Sequence, residues 1–121
     1  MEYIQMVASA KKDYLSRCID RAVGNNVKKE YVKVIADAVG EAQAEFATDI
    51  AKCKLISERK DGLDFVKALA TAKGEAQALY GSSIATNEDV LNREDALKIV
   101  QLATTTEEKH TARNIQYVVK N

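Results

Sequence analysis

His110 is the one histidine of the chain, and it stands three residues after Glu107. Glu-x-x-His on a helix is the spacing by which di-iron carboxylate bundles project two ligands from one face. A complete site of that kind needs a second such pair and further glutamates. One histidine rules this out within a single subunit, so Glu107 and His110 read as part of a solvated face.

A second constellation is Glu41 with Gln43, repeated as Glu75 with Gln77. If the segments carrying them face each other, two carboxylates and two carboxamides converge, and paired carboxylates bind cations or share a proton. The plainer reading is that Glu and Gln are good helix formers on exposed faces. No P-loop, no Gly-rich dinucleotide turn and no histidine beside a nucleophile accompany these residues. We therefore expect no catalytic residue, no metal and no cofactor, and a protein that is not an enzyme.

Basic residues cluster at Lys11-Lys12, Lys28-Lys29, Lys52-x-Lys54 and Arg59-Lys60. Lined up on one side of a bundle they would touch phosphates. Acidic residues interleave with them, and Lys+Arg and Asp+Glu balance at 18 each. The long-range attraction that draws a basic protein to nucleic acid or to an anionic membrane is missing.

The elements that must position these groups are helical. Proline, which breaks helix interiors, is absent from all 121 residues. The expectation is an all-α fold, a small bundle of four to five helices forming one domain over residues 1–121. The first helix is expected from Glu2 to about Val23, with Lys11 a polar intruder on its apolar face and Gly24-Asn25-Asn26 as its stop. The second runs from Val27 towards Arg59, as one bent helix or two. Asp61-Gly62 is a turn, and a third helix runs from Leu63 to Tyr80 before Gly81-Ser82-Ser83 breaks it. Asn92 reads as the cap of a fourth helix, and Thr104-Thr105-Thr106 as an interruption before a last segment.

The strongest signal is an internal duplication. Residues 30–51 read EYVKVIADAVGEAQAEFATDIA, and residues 64–85 read DFVKALATAKGEAQALYGSSIA. The offset is 64 − 30 = 34, without a gap, and 11 of the 22 positions are identical, including Gly-Glu-Ala-Gln-Ala. A third copy is doubtful, because position 108 is glutamate where glycine is needed. Tetratricopeptide repeats share this period, but their aromatic spacing and closing proline are not found here.

Within each copy, Ala36, Gly40 and Ala44, and then Ala70, Gly74 and Ala78, form a small-residue stripe. Such stripes let helix backbones approach closely. Phe46 and Tyr80 close the larger apolar stripes. The two copies are expected to pack antiparallel with Gly40 facing Gly74, and these residues form the candidate partner-binding or helix-packing surface.

Two cysteines make no disulfide framework. No stretch approaches the roughly 18 apolar residues of a membrane span. The basic residues near the start follow the apolar run instead of preceding it, unlike a signal peptide. The functional expectation is a cytoplasmic, non-enzymatic module for protein–protein interaction, acting as adaptor, inhibitor or structural accessory. Its partner is a protein of unknown identity, with a homodimer or larger homo-oligomer also expected and no membrane association. The alternative is a small nucleic-acid-associated regulator using the lysine clusters.

Overall fold

The computed structural model describes residues 1–120, and among them it is all helix, with no strand. The described residues form ten helices where four to five were expected. They are α1 (Glu2–Ser9), α2 (Asp13–Gly24), α3 (Lys29–Ala36), α4 (Glu41–Ala51), α5 (Lys54–Ser57), α6 (Gly62–Ala70), α7 (Glu75–Ala85), α8 (Glu88–Leu91), α9 (Ala96–Thr105) and α10 (Lys109–Lys120).

Each long helix expected from periodicity is folded back on itself. The first splits at Ala10 and Lys12, both in extended backbone. Lys11, the polar intruder on the apolar stripe, lies in that turn and is exposed, as is Lys12. The second splits at Gly40, which is extended and N-caps α4, and again beyond Ala51. The third splits at Gly74, in the same conformation.

A helical pattern can run through the breaks at Gly40 and Gly74 because four intervening residues return the next helix with its apolar face still inward. Periodicity therefore registers the shared core and misses the turn. Asn26, at φ 58°, takes the left-handed conformation where the first stop was expected.

Two further boundaries differ. Gly81-Ser82-Ser83 lies inside α7, where Gly81 and Ser82 are buried. A glycine is tolerated there because the γ-methyl of Thr104 in α9 fills the space its side chain would need, 2.6 Å from an ideal Cβ. Asn92 closes α8 and does not open α9, whose N-cap is Asp95. Asn87 caps α8, its side chain accepting from the Val90 amide at 3.3 Å.

The helices pack in two layers. α3, α6 and α9 neighbour one another in one layer; α2, α4, α7 and α10 do so in the other. Each of three second-layer helices also packs on the next helix of the first: α2 on α3, α4 on α6, α7 on α9. Gln43 at the start of α4 bonds Ala72 just past the end of α6, so those two helices run antiparallel.

Between the layers lies a core whose largest fully buried side chains include Phe65, Ile35, Ile50, Ile56, Leu69 and Ile84. Fully burying a side chain of this size contributes about 1.5–3 kcal/mol. Val32, Val66 and Val100, which follow one another at equal spacing, are all fully buried, as are Ala44, Ala78 and Ala112.

Candidate functional site

The Gly-Glu-Ala-Gln-Ala motif stands at the head of α4 and again of α7. Gly40 and Gly74 are the N-caps, both extended, with φ −163° and −161°. Any residue adopts that backbone, so the reason for glycine is space. A Cβ on Gly40 would run into the side-chain oxygen of Gln43, and one on Gly74 would lie 2.8 Å from that of Gln77.

The glutamine holds this position because its amide nitrogen is engaged elsewhere. Gln43 Nε2 donates to the Ala72 carbonyl at 3.0 Å, and Gln77 Nε2 donates to the Thr106 carbonyl at 3.1 Å. Both glutamines are buried. Each acceptor lies just beyond the end of the following first-layer helix, where helix carbonyls lack intrahelical partners. A backbone bond reinforces each junction: the Val39 amide donates to Ala70 at 3.0 Å and the Lys73 amide to Thr104 at 2.9 Å. From one junction to the next, every donor and acceptor moves by the same number of residues, Gln43 to Gln77, Ala72 to Thr106, Val39 to Lys73 and Ala70 to Thr104.

This arrangement differs from the expected approach of Gly40 to Gly74. The neighbour either glycine makes room for is its own helix's glutamine, and neither lies inside a helix. Nor do Glu41, Gln43, Glu75 and Gln77 converge in one polar site. The glutamines serve two successive junctions. Glu41 faces Arg17 of α2 at 3.5 Å, both side chains well exposed, and Glu75 is exposed. An exposed pair of this kind contributes at most about 1 kcal/mol.

Of the small-residue stripe, Ala44, Ala70 and Ala78 are buried in the core and Ala36 is packed against it. Phe46 packs on the same core, and Tyr80 is half-buried.

The other constellations also resolve. Glu107 is exposed and faces Lys73 at 3.3 Å, and His110 is exposed. Among the described residues no three of His, Cys, Asp and Glu gather as a metal would require. Cys18 is a buried thiol whose pKa burial pushes up, and Cys53 is half-buried. Among the described residues no helix is long and apolar enough to cross a membrane.

Several members of the lysine clusters are engaged within the chain. Lys28 donates to the Ser57 carbonyl at 2.7 Å and sits 5.5 Å from the Tyr31 ring centre. Lys29 pairs with Glu2 of α1. Arg59 forks onto Asp61 through Nε at 2.7 Å and Nη2 at 3.1 Å, while its Nη1 donates to the Leu91 carbonyl at 2.7 Å. It also lies over the Phe65 ring. Beside it, the Asp61 carboxyl is held below the usual carboxylate range, chiefly by the Arg59 hydrogen bond. Lys11, Lys12, Lys52, Lys54 and Lys60 are exposed on separate turns and ends.

The surface features that no sequence pattern announces are apolar and lie at the two ends of the helix stack. Ile4 and Val7 of α1 line an open groove with Val23 of α2, and Leu102 of α9 lines another with Ile115 and Val118 of α10. A further cleft of about 530 Å³ opens where the α1–α2 turn meets α3, lined by Met6, Lys11, Leu15, Lys33 and Asp37 among others. Leu15 and Ala38 face this cleft. A leucine near the head of its helix cannot donate as Gln43 and Gln77 do.

The fold and these surfaces define an all-helical protein whose successive helix pairs are joined by glutamine side-chain hydrogen bonds. No protein family model, no curated protein and no solved structure matches the chain.

Proposed function

We propose that the chain is a stack of two-helix repeats that serves as a non-enzymatic platform for binding another protein, as adaptor, inhibitor or structural accessory. In this reading residues 30–51 and 64–85 are two copies of one unit. Residues 98–119 are a third in which Glu108 replaces the motif's glycine, and α1 with α2 forms a divergent opening hairpin.

The observation that carries the reading is the pair of glutamine clamps at identical offset, Gln43 to Ala72 and Gln77 to Thr106. A clamp spanning two units fixes how each hairpin sits on the next. Stacks built so hold their stability in nearest-neighbour contacts and display an extended surface, which suits binding. The small residues then have a structural reason: Ala44, Ala78 and Ala112 let second-layer helices pack closely on their neighbours. The cytoplasm is the compartment we assign to this role.

The test is recovery of the tagged chain from its native cells, with and without nuclease, across increasing salt. A protein partner that survives nuclease supports the platform. Recovery of nucleic acid, lost steeply as salt rises, would replace it with a regulator acting through the exposed lysines.

A further inference from the structure

The junctions inside the stack have a register, and it does not stop at the last helix pair. Ile50 and Ile84 occupy equivalent places in the two copies and are both fully buried, yet Val118, at the next equivalent place, is 77% exposed. Gln77 and Gly81 of α7 face α9 and the turn after it, through the bond to Thr106 and the contact with Thr104. One offset further, Thr111 and Ile115 line the open groove between α9 and α10, together with Leu102 and Val118. Among the described residues this face therefore exposes apolar side chains at positions whose counterparts one offset earlier are buried. Terminal units that cap a stack carry a polar outer face instead.

Arg93 repeats the logic of Arg59. Arg59 grips Asp61 with Nε and Nη2 and sends Nη1 to the Leu91 carbonyl of the next unit. Arg93 grips Asp95 with the same two nitrogens, at 2.8 and 3.0 Å. Its Nη1 has no acceptor among the described residues, and Arg93 stands at the rim of the α9–α10 groove.

The opposite end offers what this face lacks. α1 buries none of its own residues completely. Ile4 is 64% exposed, and with Val7, Ala8 and Val23 it lines an apolar groove between α1 and α2 that carries Asp20 at its edge. Asp20 thus lines the first face, and Arg93, already paired with Asp95 but with Nη1 spare, lines the last.

We propose that the α9–α10 face of one molecule receives the α1–α2 face of a second copy, so that molecules join end to end in the register of their internal repeats. Val118 and Ile115 then meet Ile4 and Val7, and Arg93 Nη1 reaches a backbone carbonyl near the end of α2, as Arg59 reaches Leu91 at the end of α8. The two patches are different surfaces, so the contact is heterologous and propagates into rings or open chains, not a closed dimer. The proposal rests on the stacked-repeat reading and names its assembly surface.

The test is sedimentation of the full chain across a wide concentration range, with the variants I4E and V118E, whose exposed positions leave the core untouched. The wild-type chain is expected to form species beyond the dimer as concentration rises. Each variant alone, blocked at one end, is expected to remain monomeric with unchanged helical circular dichroism. An equimolar mixture of the two retains one intact pair of faces, and is expected to give a dimer that grows no further; misfolded variants would not do this. A monomeric wild type overturns the proposal, and so does an I4E chain that still dimerises by itself, which would mark a symmetric contact. Persistence of the Gln43–Ala72 contact in such a monomer would show that the stacked-repeat reading stands while the assembly falls.

Discussion

Gln43 donates its side-chain amide to the backbone carbonyl of Ala72, 29 residues further on, and Gln77 stands in the same relation to Thr106. Each bond crosses from one helix pair to the next, and each is buried enough that water does not substitute for it freely. Removing the donor leaves the carbonyl without that partner, a loss of about 1–3 kcal/mol. Q43A and Q77A should each destabilise the chain by that order in urea unfolding. Glu75→Ala, on the same helix as Gln77 but exposed, should fall within about 0.5 kcal/mol of wild type.

Gly40 and Gln43 should be coupled. A methyl at position 40 collides with the Gln43 amide oxygen, so G40A should destabilise the wild-type chain. In the Q43A background most of that loss should vanish, since the obstacle is gone. A double-mutant cycle with an interaction energy above about 0.5 kcal/mol supports the clamp, and strict additivity counts against it.

Gly81 packs against Thr104 at a distance that leaves no room for a side chain. Alanine favours helix over glycine by about 1 kcal/mol, yet G81A should destabilise, because the new methyl must displace the Thr104 methyl in a buried contact. At the equivalent positions of the preceding unit the pair is Ala47 and Ala70. The double variant G81A/T104A recreates that pair and should recover the stability lost, as thermal unfolding would report.

That pair also shows what was legible in the sequence. The helical class, the copied segment and the shared apolar faces follow from composition and spacing alone, because burial imposes them on every unit. The turns at Ala10–Lys12, Asp37–Gly40 and Thr71–Gly74 were hidden. They contain no proline, and glycine appears in only two of them, at extended φ that gives no sequence-level warning. Gly81-Ser82-Ser83 looked like a breaker because its reason for being small is Thr104, a residue of another helix. The glutamines looked solvent-facing because their acceptors are backbone carbonyls, which carry no sequence signature. Arg59-x-Asp61 and Arg93-x-Asp95 were visible as a repeated pattern, but the Leu91 carbonyl that gives Arg59 its second task was not.

Two titrating groups give stability a pH dependence of predictable sign. Asp61 has its folded pKa held below the ordinary 3.8, first by the Arg59 hydrogen bond. The charged form is thus favoured in the fold, and its contribution is present above the ordinary value and lost as pH falls through the lowered folded value. D61N should flatten that acid limb. Tyr31 has its pKa raised above the ordinary 10.0, first by burial. The neutral phenol is favoured, so its contribution is full below the ordinary value and disappears as pH rises through the raised folded one. Y31F should flatten the alkaline limb. Denaturant midpoints measured across pH check both.

Gln43 and Gln77 each clamp one helix pair to the next. The most direct measurement is proton NMR of the full chain, tracing nuclear Overhauser contacts from the side-chain amide protons of Gln43 and Gln77. Contacts are expected from Gln43 to the Ala72–Lys73 backbone and from Gln77 to the Thr106–Glu107 backbone. Glutamine amides that exchange freely with water and show neither contact, with Gly40 and Gly74 protons instead in contact with each other, would contradict this clamping.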